Sequence, residues 1–300
     1  MSSEDIKTSP SPSGEGWGEA SPSPSGEGWG EASLRESWGE ALTIIKIGGN
    51  VIDNSEKLHE FLKSFTSLPG YKILVHGGGK AATKISDEMG VEAKIIDGRR
   101  VTDIETLRIV TMVYGGLINK NIVAQMQAYG SNAIGLTGAD GNTIKAVKRP
   151  VKEIDFGFVG DLNENSVNTE FLSNLLKIGA VPVFCALTHD GDGQLLNTNA
   201  DTVASALAVS LSKNFKTSLV YCFEKKGVLV DVDDDNSVIR EIRSSAFDTL
   251  KDEGIIAGGM LPKLHNAFEA IKNGVKDVYI GKADELELLT TQTFGTRLIK

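Results

Sequence analysis

Thr43-Ile44-Ile45-Lys46-Ile47-Gly48-Gly49-Asn50 decides the fold. Four of its first five residues are β-branched, and they run continuously, without polar alternation. A continuous run of this kind predicts a strand covered on both faces, as in a parallel sheet. The strand runs into two glycines, and Ser55–Ser67 then reads as a helix with cap candidates at Asp53, Asn54 and Ser55. The same strand–glycine–helix sequence recurs at once. Lys72–Val75 is a second strand, His76-Gly77-Gly78-Gly79 follows, and a helix extends from about Lys80 to Met89, with Pro69-Gly70 as the turn between the two units.

Outward from this pair, helices are expected at Asp103–Gly115 and Leu117–Tyr129, then a strand at Ala133–Leu136 and a turn over Thr137–Asn142. Ile144–Val147 and Gly157–Asp161 read as hairpin material, Asn168–Leu176 as helix, Val181–Ala186 as strand and Ala200–Ser212 as helix. Ser218–Phe223, Val228–Val232 and Asp277–Ile280 read as strands, and Met260–Lys272 as the last long helix. This alternation predicts a three-layer α/β/α sandwich around a mostly parallel open sheet. In such a sheet ligands lie at the carboxyl ends of the strands.

The chain has 300 residues, with Lys+Arg 31 against Asp+Glu 40, a formal charge of −9. That balance argues against a nucleic-acid or anionic-membrane partner. The longest apolar run, Ala180–Leu187, is far short of the roughly 18–20 residues of a membrane span. Cys185 and Cys222 sit in apolar runs and read as buried thiols of a reducing, cytoplasmic compartment. The charge is unevenly spread. Residues 9–20, SPSPSGEGWGEA, are repeated letter for letter at 21–32, and ESWGEA follows at 36–41. Residues 1–41 carry −6, leaving −3 for 42–300, and hold all three tryptophans. So much Pro, Gly and Ser cannot offset the entropy of ordering, so a disordered tail is expected, with an aromatic-spaced docking tail as the alternative.

Both glycine runs open a helix, which lets backbone N–H groups and a helix N-terminus converge on an anion. Lys46 stands inside the first strand, where an ammonium is costly unless an anion meets it or its head snorkels from an edge. Asn199 is a natural N-cap for a helix with Asp201 in its first turn, which leaves Asn197 unexplained. Arg99-Arg100 suits bidentate carboxylate recognition, whereas Lys263 on spacing alone is an ordinary surface lysine. Several motifs are excluded. No G-x-x-x-x-G-K-[ST] is present, the domain has no G-x-G-x-x-G, and the HGGG run lacks the G-x-S-x-G elbow of an esterase. Asp231–Asp235 lacks the glycine and glutamate of a calcium loop and reads as a hairpin turn, as does Asp190–Gly193.

Taken in order, Ile44–Gly49, His76–Gly79, Gly98-Arg99-Arg100-Val101-Thr102, Gly135–Gly138 with Asp140-Gly141, Asn197-Thr198-Asn199-Ala200-Asp201 and Gly259-Met260-Leu261-Pro262-Lys263 resemble the N-acetylglutamate kinases of the amino-acid kinase superfamily. The resemblance spans residues 42–300. It implies one kinase domain with an acyl-amino-acid lobe over about 42–190 and a nucleotide lobe over about 191–300. It further implies phosphoryl transfer from ATP, with Mg²⁺ held mainly by the phosphates and water, to the γ-carboxylate of N-acetyl-L-glutamate in arginine biosynthesis. The motifs do not separate an acetyl from a succinyl substituent, and a silent ligand sensor on the same fold is the alternative from another class.

By the same resemblance Lys46, Lys263 and Asp201 are catalytic. Gly48, Gly49 and Gly78 meet the phosphoryl group, and Gly78, Gly79, Arg100 and Asn197 bind substrate. No protein metal ligands are implied, and the subunits form a homodimer. With the repeat where arginine-inhibited members carry a helix, weak or absent arginine inhibition is expected. One segment departs from the family pattern. Where a Ser/Thr-Asp pair is usual, the chain reads Phe223-Glu224, and Phe223 brings no hydroxyl.

Overall fold

The computed structural model describes residues 41–96, 98–256 and 260–300. The repeat-bearing tail and the Gly258-Gly259 pair lie outside the described residues. In chain order the elements are β1 (Ala41–Ile47), α1 (Gly49–Ile52), α2 (Ser55–Ser67), β2 (Tyr71–His76), α3 (Gly79–Glu88), β3 (Ile95–Ile96), β4 (Arg99–Arg100) and α4 (Ile104–Val110). A π-helical segment, Thr111–Ile118, leads into α5 (Asn119–Ala128), β5 (Ala133–Leu136), β6 (Val147–Lys148), β7 (Gly160–Asp161), α6 (Thr169–Lys177) and β8 (Val181–Phe184). The chain continues through β9 (Leu187–His189), β10 (Leu195–Asn197), α7 (Ala200–Leu211), β11 (Lys216–Phe223), β12 (Glu241–Arg243) and α8 (Phe247–Asp252). It ends with α9 (Met260–Lys272), β13 (Asp277–Lys282) and β14 (Thr296–Ile299).

β1 lies inside an eight-stranded sheet of order β12-β14-β13-β11-β1-β2-β8-β5. Its ladders to β2 and β11 are both parallel, and Leu42, Ile44, Ile45 and Ile47 are fully buried, as the unbroken apolar run requires. All pairings in the sheet are parallel except β13 with β14. On one face α7 covers β1, β2 and β11, flanked by α6 on β8 and α9 on β13 and β14. On the other, α5 covers β5 and β8, and α2 packs between α5 and a 3₁₀ turn at Ala283–Leu289. The result is the expected α/β/α sandwich. From β1 the chain turns to β2 on one side and later returns as β11 on the other, so the crevice at the switch opens above β1.

Four local expectations change. Val228–Val232 is not a sheet strand. Leu229 bridges Val238, with Val230 N–H donating to Ser237 and Ile239 N–H to Val228, so the segment is one arm of a small hairpin turning through Asp231–Asp235. Its Val230 and Val232 are exposed, since the acidic turn holds it in water. The sheet is completed instead by β12 at its edge and β14 just inside it, whose short Glu-Ile-Arg and Thr-Arg-Leu-Ile runs alternate in burial. The strand at Val181 ends at Phe184, and Leu187–His189 pairs with Leu195–Asn197 across the Asp190–Gly193 turn. The two helices expected around Gly116 are one continuous rod, because the Gly115-Gly116 pair is passed as a π-helical turn and not as a break.

Candidate active site

The register brings three loops together at the carboxyl ends of the strands. Ile47 is paired with His76 on one side and Cys222 on the other, so Gly48, Gly77 and Phe223 emerge side by side. Gly77 N–H donates to Ile47 O at 3.2 Å, tying the second glycine loop to the first. Gly78 has no room for a side chain. A Cβ there would come within 2.6 Å of Ile118 Cδ1 and 2.8 Å of Tyr114 Cδ1, so only glycine lets the loop lie against the π-helical segment.

His76 holds this loop from below. It is fully buried, its Nδ1–H donates to Gly77 O at 2.8 Å, and its Nε2 accepts from Asn119 Nδ2 at 3.1 Å. Asn119 Nδ2 also donates to Val183 O at 2.9 Å. Burial drives His76 down to about 4, so the imidazole is neutral and structural at pH 7.

Lys46 is 9% exposed and meets Asp201 at 2.7 Å, an ion pair without an aligned hydrogen bond. The snorkelling alternative is therefore excluded. Asp201 is placed by α7, whose N-cap Asn199 accepts from Asp201 N–H at 2.8 Å and Thr202 N–H at 3.2 Å. Lys263, in the first turn of α9, is half-buried. Its pKa is lowered by burial; the Asp201 charge opposes this, and the Lys46 charge adds a smaller lowering. Both ammonium groups approach the ring of Phe223, Lys263 Nζ at 3.9 Å from its centroid and Lys46 Nζ at 5.8 Å. A cavity of about 270 Å³ opens here, lined among others by Gly48, Phe223, Glu224, Met260 and Lys263. Gly49 stands at its edge, opening α1.

Gly79, Arg100 and Asn197 form a second cluster outside that lining. Arg100 Nη2 donates to Gly79 O at 2.9 Å and Thr83 Oγ1 at 2.6 Å, while its Nη1 is buried without a partner among the described residues. Thr102 Oγ1 donates to Arg100 O at 3.2 Å and accepts from Asn197 Nδ2 at 3.0 Å, joining residues 95 apart. Tyr114 lies beside Arg100. Burial raises its pKa against the pull of the guanidinium. Neither Tyr114 nor the ring of Phe223 carried a sequence signal for these contacts. The missing hydroxyl at Phe223 was visible, but not what the ring would face.

The chain that carries these two clusters, one of ammonium groups and one of a guanidinium, matches a known set of proteins. A model of the amino acid kinase family covers residues 41–282. The chain belongs to that family. Among its amino acid kinase relatives, the acetylglutamate kinase of Parabacteroides distasonis is 54% identical over 259 residues, 86% of this chain and 99% of that one. The acetylglutamate kinase of Cytophaga hutchinsonii is 57% identical over 263 residues, 87% and 99%. A solved structure, smu.665 from Streptococcus mutans, superposes with a TM-score of 0.69 at 28% identity, covering 86% of this chain and 98% of that one. As a kinase the chain uses ATP. No described helix is long and apolar enough to cross a membrane.

Proposed function

We propose that the chain transfers the γ-phosphoryl group of ATP to the γ-carboxylate of N-acetyl-L-glutamate, the arginine-pathway step, as a cytoplasmic homodimer without nucleic-acid partners. The observation that carries this is the Lys46–Asp201 pair at 2.7 Å beside Lys263, set between two glycine loops at the strand ends. Residues 42–190 supply the acyl side and 191–300 most of the nucleotide side. A γ-carboxylate oxygen attacks the γ-phosphorus in line, the bond to the β-phosphate oxygen breaks, and ADP leaves.

The attacking carboxylate is already ionised at pH 7, so no general base is required. Catalysis then rests on position and on charge. Lys46 and Lys263 neutralise the phosphoryl oxygens, Asp201 anchors Lys46, and the N–H groups of Gly48, Gly49 and Gly78 are the fixed donors around the transferring group. Arg100 offers its unpartnered Nη1 to the α-carboxylate, beside Gly79. Asn197, with Nδ2 engaged by Thr102, keeps Oδ1 for the acyl amide N–H.

The described residues contain no group of three His, Cys, Asp or Glu side chains suited to a metal. Ammonium groups and amides, with Glu224 the single carboxylate among the described lining residues, fit a magnesium ion that arrives on the nucleotide. When bound, it neutralises phosphate charge.

The test is ADP release coupled to hydroxamate trapping of the acyl phosphate, with N-acetyl- and N-succinyl-L-glutamate in parallel. Turnover of the acetyl substrate in preference is expected. Preference for the succinyl compound reassigns the acyl group, and nucleotide binding without turnover of either sinks the kinase reading in favour of a sensor.

A further inference from the structure

Phe223 ends β11 at the floor of the nucleotide cavity. Its ring lies nearly parallel to buried Tyr221, centroids 6.1 Å apart and planes 19° off, so its orientation is fixed from inside the protein. Lys263 Nζ sits 3.9 Å above its centroid and Lys46 Nζ 5.8 Å away. Among the described residues Lys263 makes no ion pair, since Asp201 is engaged by Lys46. Its close contact is the aromatic face of Phe223, with the Asp201 charge acting on it as well.

The chemistry of that face matters. A ring quadrupole attracts an ammonium but no neutral amine, and it does so without an oxygen lone pair. Burial and the neighbouring Lys46 favour loss of the Lys263 proton, the Asp201 carboxylate opposes them, and the ring 3.9 Å away adds to that opposition. A carboxylate in the same place would do this more strongly, but it would bind Lys263 as an ion pair and repel incoming phosphate. A hydroxyl would do neither well. We propose that Phe223 is a positioning residue that keeps the Lys263 ammonium charged and partly dehydrated over its ring face, in a contact weak enough for phosphoryl oxygens to displace. This rests on the nucleotide reading of the cavity.

The experiment replaces Phe223 in the full chain with 4-fluoro-, 3,5-difluoro- and 3,4,5-trifluorophenylalanine, which nearly keep its shape while draining charge from its face. The Lys263 ammonium is titrated by NMR in ¹⁵N-lysine-labelled protein without ligand, assigned through Lys263→Arg. The kcat and KM for ATP are measured in the same series. The titration is expected to move downward stepwise, with kcat/KM for ATP falling in the same order by about 10-fold at the trifluoro ring and KM for the acyl substrate unchanged.

A flat titration overturns the proposal, even if Phe223→Leu is slow, because shape alone would then explain the loss. So does a moving titration with unchanged ATP kinetics. A wild-type chain that turns over no acylglutamate fails the functional reading instead. The ring is then judged by the titration together with ATP affinity from calorimetry, on the same two criteria.

Discussion

On the side proposed for the nucleotide, Lys46, Asp201 and Lys263 are joined by one ion pair and a shared aromatic ring; on the side proposed for the acyl substrate, Arg100, Gly79, Thr83, Thr102 and Asn197 are joined by hydrogen bonds of 2.6 to 3.2 Å. The contrast matches two tasks. Charge migrates across a phosphoryl group as it transfers, so cations near it must be close yet not locked to other partners. A substrate carboxylate that takes no part in bond making needs a guanidinium already aimed, and Arg100 has one arm bound down and the other unpartnered.

If that division is right, mutations on the two sides fail in different kinetic parameters. Lys46→Ala should lower kcat by roughly 10²-fold or more, with a much smaller change in KM for the acylglutamate. Steady-state rates at saturating ATP check this, and an unchanged kcat would remove Lys46 from the transfer step. Arg100→Lys should do the reverse, raising KM for the acylglutamate about 10-fold while kcat stays near wild type, because a point charge cannot hold Gly79 O and a carboxylate at once. A fall in kcat of the same size would mean that the acyl cluster also takes part in chemistry, and the contrast would collapse.

The smallest effect expected concerns the loop that both sides share. His76 is held near 4 against an ordinary 6.5, so between those values the unfolded chain binds a proton that the folded chain refuses. Its contribution to stability is therefore complete above about 6.5 and is lost as the pH falls toward 4. His76→Gln lacks that slope. Urea unfolding at pH 7 and pH 5 should show the stability gap between wild type and variant narrowing at the lower pH. An equal gap at both would mean that His76 is not kept neutral by the fold.

Much of the nucleotide side was legible because its parts are local. A lysine in an apolar strand, a glycine pair after it and an Asn199 cap before Asp201 each follow from residues close in sequence. The acyl side was legible only through the family resemblance. Arg100 and Asn197 meet through Thr102, and no periodicity announces a contact made across most of a lobe. Phe223 was marked by the hydroxyl it lacks, yet its partners come from β1 and α9, which only the sheet order brings together. The short strands β12 and β14 escaped because charged residues interrupt them, and Val228–Val232 misled because β-branched residues suit a hairpin arm as well as a strand.

β1 is bonded along both flanks, over residues 41–47 to β11 and 42–47 to β2, so one uninterrupted backbone ladder runs through the middle of the sheet. Amides bonded on both flanks and buried in this way are expected to exchange with solvent only in the largest unfolding events, later than those of the surrounding elements. Lys46 is mounted on that slowest-opening segment, and Lys263 on a helix at the periphery. Of the two ammonium groups beside Phe223, one is carried by the strand at the centre of the sheet and the other by a helix that covers it.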